Sequence, residues 1–216
     1  MTFCLDTTII KPENNFEIKN AIILLHGYGG DGKDISVLSL NWKRHLPNTI
    51  FICPNGHERC HINPSGYQWF DLSNEDPKYI LTQSQKAEKK LSQFIDEVKK
   101  EYSIDNDKIC LSGFSQGCMM SINLGLMADK EYNCIVGFSG KIINQEDLKL
   151  RKKVATRTLL IHGDVDQVVM PNFLLEAKDF FIRNDIEIET HLIKGCDHHI
   201  PIEASSIALN YILKKF

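Results

Sequence analysis

Gly113-Phe114-Ser115-Gln116-Gly117 places a serine between two glycines, directly after an apolar run and directly before a helix-like segment. A serine hydroxyl is a poor nucleophile until a base takes its proton, and the base works best when an acid orients it. Both residue types follow in chain order. Acids stand in Gly163-Asp164-Val165-Asp166-Gln167-Val168-Val169, and histidines in Gly195-Cys196-Asp197-His198-His199-Ile200. Serine, acid and histidine, each just past an expected strand, point to covalent acyl transfer. A further segment, Leu25-His26-Gly27-Tyr28-Gly29-Gly30-Asp31, follows another apolar run. Its glycines let the backbone turn tightly, so that an N–H can face a developing oxyanion together with the N–H of Gln116. No G-x-G-x-x-G and no P-loop lysine pattern accompanies it, which argues against a nucleotide. Read from the residues alone, the choices between Asp164 and Asp166 and between His198 and His199 stay open.

These side chains must be held by strands ending at one edge. Expected strands are Ala21–His26, Thr49–Cys53, Lys108–Ser112, Cys134–Phe138, Thr158–His162 and Ile186–Ile193, several of them continuous apolar runs closed by Gly or Pro. That pattern suits strands buried on both faces of a parallel sheet. Between them the spacing predicts helices near Gly32–Leu46, Ser84–Tyr102, Ser115–Ala128, Pro171–Asn184 and Pro201–Lys215. The clearest is Ser84–Tyr102, with Ala87, Leu91, Phe94, Ile95 and Val98 on one stripe. Strand–helix alternation implies a mostly parallel, doubly wound sheet flanked by helices, an α/β fold binding ligands at the carboxyl ends of its strands. The stretch Pro54 to Leu81, rich in Pro, Gly, Asn and aromatics, reads as a long functional loop or a misread element.

The 216 residues suit one domain, 1–216. With 25 basic and 28 acidic residues the net charge is −3, which leaves no basic footprint for nucleic acid. The longest aliphatic run, Ala21–Leu25, is far below the ~20 residues of a membrane span, and the amino terminus reads as no signal peptide. Seven cysteines at irregular spacing read as free thiols in a reducing cytoplasm. Cys53, His57, Cys60 and His61 crowd together but match no familiar zinc spacing, so no metal is expected. His26 and His162 sit in strand-end turns, where hydrogen bonds to backbone are the ordinary role.

Taken together, LHGYGGDGKD, FICPNG, GYQWFDL, GFSQG, HGDVDQVV and the GCDHHI segment resemble the phospholipase/carboxylesterase family of small α/β-hydrolases, from about residue 21 to residue 203. The family includes bacterial carboxylesterases and acyl-protein thioesterases. Carried over by position, the resemblance implies Ser115 as nucleophile, Asp166 as orienting acid and His198 as base. It also implies the N–H groups of Tyr28 and Gln116 as oxyanion donors. The segment with Trp69 and Phe70 is similar to the family's loop beside the acyl pocket, so these two aromatics are expected to line an apolar cleft and contact substrate. The implied activity is hydrolysis of carboxylic esters or acyl thioesters through an acyl-enzyme, with no cofactor and no separate cap domain. Acyl-protein thioesterase and lysophospholipase, acting on an acylated protein or a lysolipid, share every one of these residues. A catalytically silent binding module is the reading from another class. Members of the family often pair through surface faces, so a homodimer is within the expectation. Two positions depart from the family pattern: Asp197 stands where glycine is usual, and Cys118 where glycine or alanine is. On the first turn of a helix, the Cys118 thiol would be acidified and open to oxidation if exposed, or simply core if buried.

Overall fold

The computed structural model describes residues 3–13 and 16–216. In chain order come β1 (Thr7–Ile10), β2 (Asn20–Leu25), α1 (Gly32–Ile35), α2 (Val37–Trp42), β3 (Thr49–Pro54), β4 (Glu58–Arg59) and β5 (Tyr67–Gln68). Then follow α3 (Pro77–Tyr102), β6 (Ile109–Phe114), α4 (Gln116–Met127), β7 (Cys134–Phe138) and α5 (Gln145–Arg151). The chain closes with β8 (Thr158–Gly163), α6 (Asn172–Arg183), β9 (Ile188–Ile193) and α7 (Ile202–Leu213).

Every residue of β3, β7 and β8 is buried, and strands that are apolar on both faces need cover on both. Among the described residues the main sheet has seven strands in the order β1-β3-β2-β6-β7-β8-β9, with β1 antiparallel to β3 and the rest parallel. Side-chain alternation divides each strand between two layers. Ala21, Ile23 and Leu25 of β2 pack with α3 and α4, whereas Ile22 and Leu24 pack toward Trp42 of α2 and Ala208 and Ile212 of α7. Helix α4 is buried nearly all round between the sheet and its neighbours, as suits a helix with no charged residue, and its polar Gln116, Ser121 and Asn123 are hydrogen-bonded inside. From β2 the chain moves outward to β3 and then crosses to β6 on the other side. The winding therefore reverses between β2 and β6, which opens a crevice at their carboxyl ends.

Several elements differ from the sequence expectation. Helix α3 starts at Pro77, not Ser84, because Asp76 caps it by accepting the Lys78 N–H and Pro77 takes the first turn. The early turns are half-exposed and carry no apolar stripe that periodicity could find. The expected loop from Pro54 to Leu81 thus divides into the β4–β5 hairpin and the start of α3. The Gly32–Leu46 helix is two short helices, α1 and α2, and β1 and α5 were not expected. Among the described residues no helix is long and apolar enough to cross a membrane.

Candidate active site

Strand register brings the relevant loops to one edge. Leu25 of β2 lies beside Gly113 of β6, Phe114 beside Phe138 of β7, and Gly163 of β8 beside Ile193 of β9. Ser115 follows β6 at φ 53° and ψ −116°, a backbone region that costs a non-glycine residue about 1–3 kcal/mol. The strain is held in place from both sides. The Ser115 N–H donates to the Phe138 carbonyl at 2.8 Å, and the Ser115 carbonyl accepts the Met119 N–H at 3.1 Å. The flanking glycines exist because of contact: a Cβ on Gly113 would stand 2.3 Å from the Gly117 carbonyl carbon, and one on Gly117 2.1 Å from the Leu25 oxygen.

Ser115 Oγ lies 3.0 Å from His198 Nε2, and His198 Nδ1 lies 2.7 Å from Asp166 Oδ2. The other carboxylate oxygen, Oδ1, accepts the Val168 and Val169 N–H groups, each at 2.9 Å. Behind it, His162 Nε2 donates to the Val169 carbonyl at 2.7 Å and sits 3.4 Å from Asp166 Oδ2. Burial pushes the Asp166 carboxyl up, but the hydrogen bonds from His198, Val169 and Val168 outweigh it and hold the group below its ordinary value. His162 is pushed down, chiefly by burial, so it stands neutral behind the carboxylate. Asp164 does different work: its Oδ1 accepts the Gly195 N–H at 2.6 Å and ties the loop after β8 to the loop after β9. His199 pairs with Asp197 and makes no hydrogen bond to Ser115 or Asp166. The phenyl ring of Phe114 lies 4.8 Å, centroid to centroid, from the His198 imidazole.

The loop after β2 is braced by His26. Its Nε2 accepts the Gly56 N–H at 2.9 Å, so Nδ1 carries the proton and donates to the Gly27 carbonyl at 2.7 Å. Beyond it, the Tyr28 and Gln116 N–H groups have no hydrogen-bond partner among the described residues. Trp69 and Phe70 are 0% and 1% exposed and belong to the core, so they stand behind the site and do not line its surface. Trp69 stacks on His26 at 4.9 Å and donates its indole N–H to the His26 carbonyl. The Gln116 side chain ties this layer to the elbow, accepting the Trp69 N–H and donating to the Phe70 carbonyl, both at 2.7 Å.

Beside His198 opens a cleft of about 390 Å³. Ile35, Val37, Leu38, Phe114 and Ile200 form its apolar wall, and Gly27, Tyr28 and His199 also line it. Sequence reasoning missed this wall. Phe114 carried a signal, being the variable residue of the G-x-S-x-G elbow; Val37 and Leu38 sit in a helix too short to show periodicity. A larger groove, about 1140 Å³, lies away from Ser115 between α3, α4 and α5, where charged side chains such as Glu88 and Arg151 dominate. Cys118 is 1% exposed and wedged against Gly137 and Gly140, and burial pushes its thiol up to about 12. Of the two readings that the sequence left for Cys118, the buried core cysteine is the one the fold contains, and the acidified, exposed thiol is not. All seven cysteines are free. Among the described residues no group of three or more His, Cys, Asp or Glu side chains is arranged to hold a metal ion.

Residues 6–215 match the sequence pattern of the phospholipase/carboxylesterase family. The chain is 26% identical over 199 residues to acyl-protein thioesterase 1 of Schizosaccharomyces pombe, covering 88% of this chain and 86% of that protein. It is 23% identical over 197 residues to esterase YpfH of Escherichia coli, covering 88% and 81%. The crystal structure of esterase PE8 superposes with a TM-score of 0.94 at 30% identity, covering 98% of this chain and 99% of that one.

Proposed function

Since the chain belongs to the phospholipase/carboxylesterase family, we propose that it hydrolyses carboxylic esters and acyl thioesters through an acyl-enzyme formed on Ser115. In this reading His198 takes the Ser115 proton at Nε2 as Oγ bonds to the acyl carbon and the carbonyl electrons move to oxygen. Asp166 fixes the imidazole with Nδ1 protonated and balances its charge once Nε2 is protonated. The free N–H groups of Tyr28 and Gln116 receive the oxyanion, an interaction worth about 2.7–4 kcal/mol for a single donor. Collapse expels the alcohol or thiol, which leaves with the proton held by His198. Water then repeats the sequence, with His198 as base again, and releases the acid and Ser115.

The observation that carries this reading is the unbroken hydrogen-bonded series from the Val168 and Val169 amides through Asp166 and His198 to a serine on a strained elbow. The apolar cleft beside His198 offers room for an acyl chain. Trp69 and Phe70 support the site from behind, by fixing Gln116, and not by touching substrate. The thioesterase name of the S. pombe relative favours thioesters within the same chemistry, and an acylated protein or a lysolipid would present its acyl group in the same way. Seven free thiols favour a reducing compartment, and we place the protein in the cytoplasm.

A fluorophosphonate probe tests the reading directly. Wild type should label at Ser115, and Ser115→Ala should not. A wild type that stays unlabelled is a silent hydrolase-fold module instead. Esters and thioesters of increasing acyl length, with Ser115→Ala as control, then define the substrate.

A further inference from the structure

The sheet has two edges, and they are built differently. Strand β1 is a four-residue strand followed by Lys11 and Pro12, a charge and a breaker that discourage further pairing. Strand β9, Ile188-Glu189-Thr190-His191-Leu192-Ile193, is longer, with six residues before Lys194 and Gly195 end it. Its inward groups are fixed by two bonds to β8: Thr158 N–H donates to the Glu187 carbonyl, and Asp164 N–H to the Ile193 carbonyl. Odd-numbered residues therefore aim their backbone at β8, and Ile188, Thr190 and Leu192 aim theirs at the free edge. Among the described residues those outward groups have no hydrogen-bond partner. Leu192, Glu189 and His191 are exposed, Leu192 by 56%.

We propose that this edge pairs antiparallel with the same edge of a second copy, about a two-fold axis at Thr190, joining two seven-stranded sheets into one. Only Ile188, Thr190 and Leu192 can bond across the edge, which allows a two-fold at Thr190, Glu189 or His191. The last two set Glu189 or His191 against its own equivalent, so side-chain complementarity selects Thr190. With the axis at Thr190, Ile188 faces Leu192 of the second copy, and Thr190 faces its own equivalent. On the opposite face of the sheet Glu189 meets His191 of the second copy, twice by symmetry. Apolar meets apolar and acid meets base, so the strand is its own complement, as a two-fold interface requires. Shifting the axis by one outward residue in either direction breaks both matches.

Strand pairing alone falls short of the ~800 Å² per partner that a stable dimer buries, and α6 supplies more. Ile188 packs with the core beneath α6, so α6 covers the face of the sheet that carries Ile188 and Leu192. Phe173 on one flank of α6 packs under Lys141, just past β7, so that flank looks to the middle of the sheet. Leu175 and Ile182, exposed by 64% and 56%, lie on the outer side of α6, tilted away from Phe173 and so toward the free edge. A perpendicular two-fold through β9 sets this side against its counterpart. Two exposed aliphatic side chains from each copy then cover one another. The proposal does not depend on the hydrolase reading, and its test reads mass, not turnover.

Sedimentation equilibrium of the full chain should show a dimer. Thr190→Pro removes only an outward N–H, leaving the β8 ladder intact, and should weaken association about a hundredfold or more through two lost hydrogen bonds and a ring clash. Glu189→Lys should weaken it as well, and Glu189→Lys with His191→Glu should restore it. In a Cys4→Ser background, Thr190→Cys should form an intermolecular disulfide under mild oxidant, because Cα atoms in such a bonded pair lie ~5.5 Å apart. A wild type that sediments as a monomer up to about 100 μM overturns the proposal. So does a dimer that survives Thr190→Pro, since another face then joins the copies. If Thr190→Pro fails to fold, judged by thermal unfolding, the charge exchange and the disulfide decide: no restoration and no link refute the β9 edge.

Discussion

Asp166→Asn separates the roles of the two acids in the loop after β8. Asp166 Oδ1 accepts the Val168 and Val169 N–H groups, and Oδ2 faces His198 Nδ1. Asparagine has only one oxygen to offer. Placed at Oδ1, it keeps both amides satisfied and turns its NH2 toward His198. Nδ1 must then act as acceptor, the proton moves to Nε2, and that proton points at Ser115 Oγ, which is 3.0 Å away. A protonated Nε2 in the resting enzyme cannot serve as base. The other rotamer keeps the productive tautomer but sets an NH2 against the buried Val169 N–H and the part-buried Val168 N–H, at about 1–3 kcal/mol each. The unproductive arrangement is therefore favoured by about 2–6 kcal/mol, and each 1.36 kcal/mol is tenfold, so kcat should fall by about two to four orders of magnitude.

Asp164→Asn, by contrast, keeps an oxygen for the Gly195 N–H and should lose less than about tenfold. Steady-state kcat on a short p-nitrophenyl ester at neutral pH, with the rate of fluorophosphonate labelling alongside, compares the two. Thermal unfolding confirms that both variants are folded. An Asp164→Asn enzyme as impaired as Asp166→Asn, or an Asp166→Asn enzyme within about tenfold of wild type, refutes the reasoning.

Other perturbations test the supports around this series. Gln116→Ala keeps the backbone N–H but strips partners from the Trp69 amide and the Phe70 carbonyl; stability measured in urea should drop by about 2–4 kcal/mol, with kcat much less affected. Gly117→Ala puts a methyl 2.1 Å from the Leu25 oxygen and should give no soluble, labelled enzyme. His26 and His162 are both pushed below their ordinary value of 6.5, mainly by burial. Their unfolded forms take up protons first, so the stability they contribute is complete above about pH 6.5 and lost as pH falls through the lower folded values. The urea midpoint should accordingly decline on acidification below that point, and a flat or rising midpoint contradicts the assignment. Leu38→Trp narrows the cleft and should lower kcat/KM for octanoyl esters about tenfold or more while sparing acetyl esters.

The elbow was legible because its glycines are forced by atoms close in the fold and its flanking strand is a plain apolar run. The order of serine, acid and histidine was equally legible, each lying just past a strand. Which acid faces the imidazole was legible only through the family resemblance, which implied Asp166, and not from the residues themselves. Asp164 and Asp166 stand in the same loop, and only the positions of Gly195 and His198, supplied by another strand, distinguish them. Trp69 and Phe70 misled for a related reason: aromatics in a Pro/Gly-rich stretch suggest a cleft lining, yet Gln116, remote in sequence, draws them into the core. The start of α3 escaped notice because its cap is a single aspartate and its first turns bury little.

The wedge at Cys118 carries a consequence for how this sequence can change. A methyl on Gly137 would stand 2.3 Å from the Cys118 sulfur, and one on Gly140 2.4 Å. The three positions share one parcel of volume, so their substitutions are contingent on each other. A smaller residue at 118 has to come first before either glycine can grow, and once a glycine has grown, the cysteine cannot return. Drift beneath the elbow is therefore directional. Gly137→Ala should be far better tolerated in a Cys118→Gly background than in the present one, the remaining contact being with the end of the Leu160 side chain, 2.7 Å from the new methyl, which can turn aside.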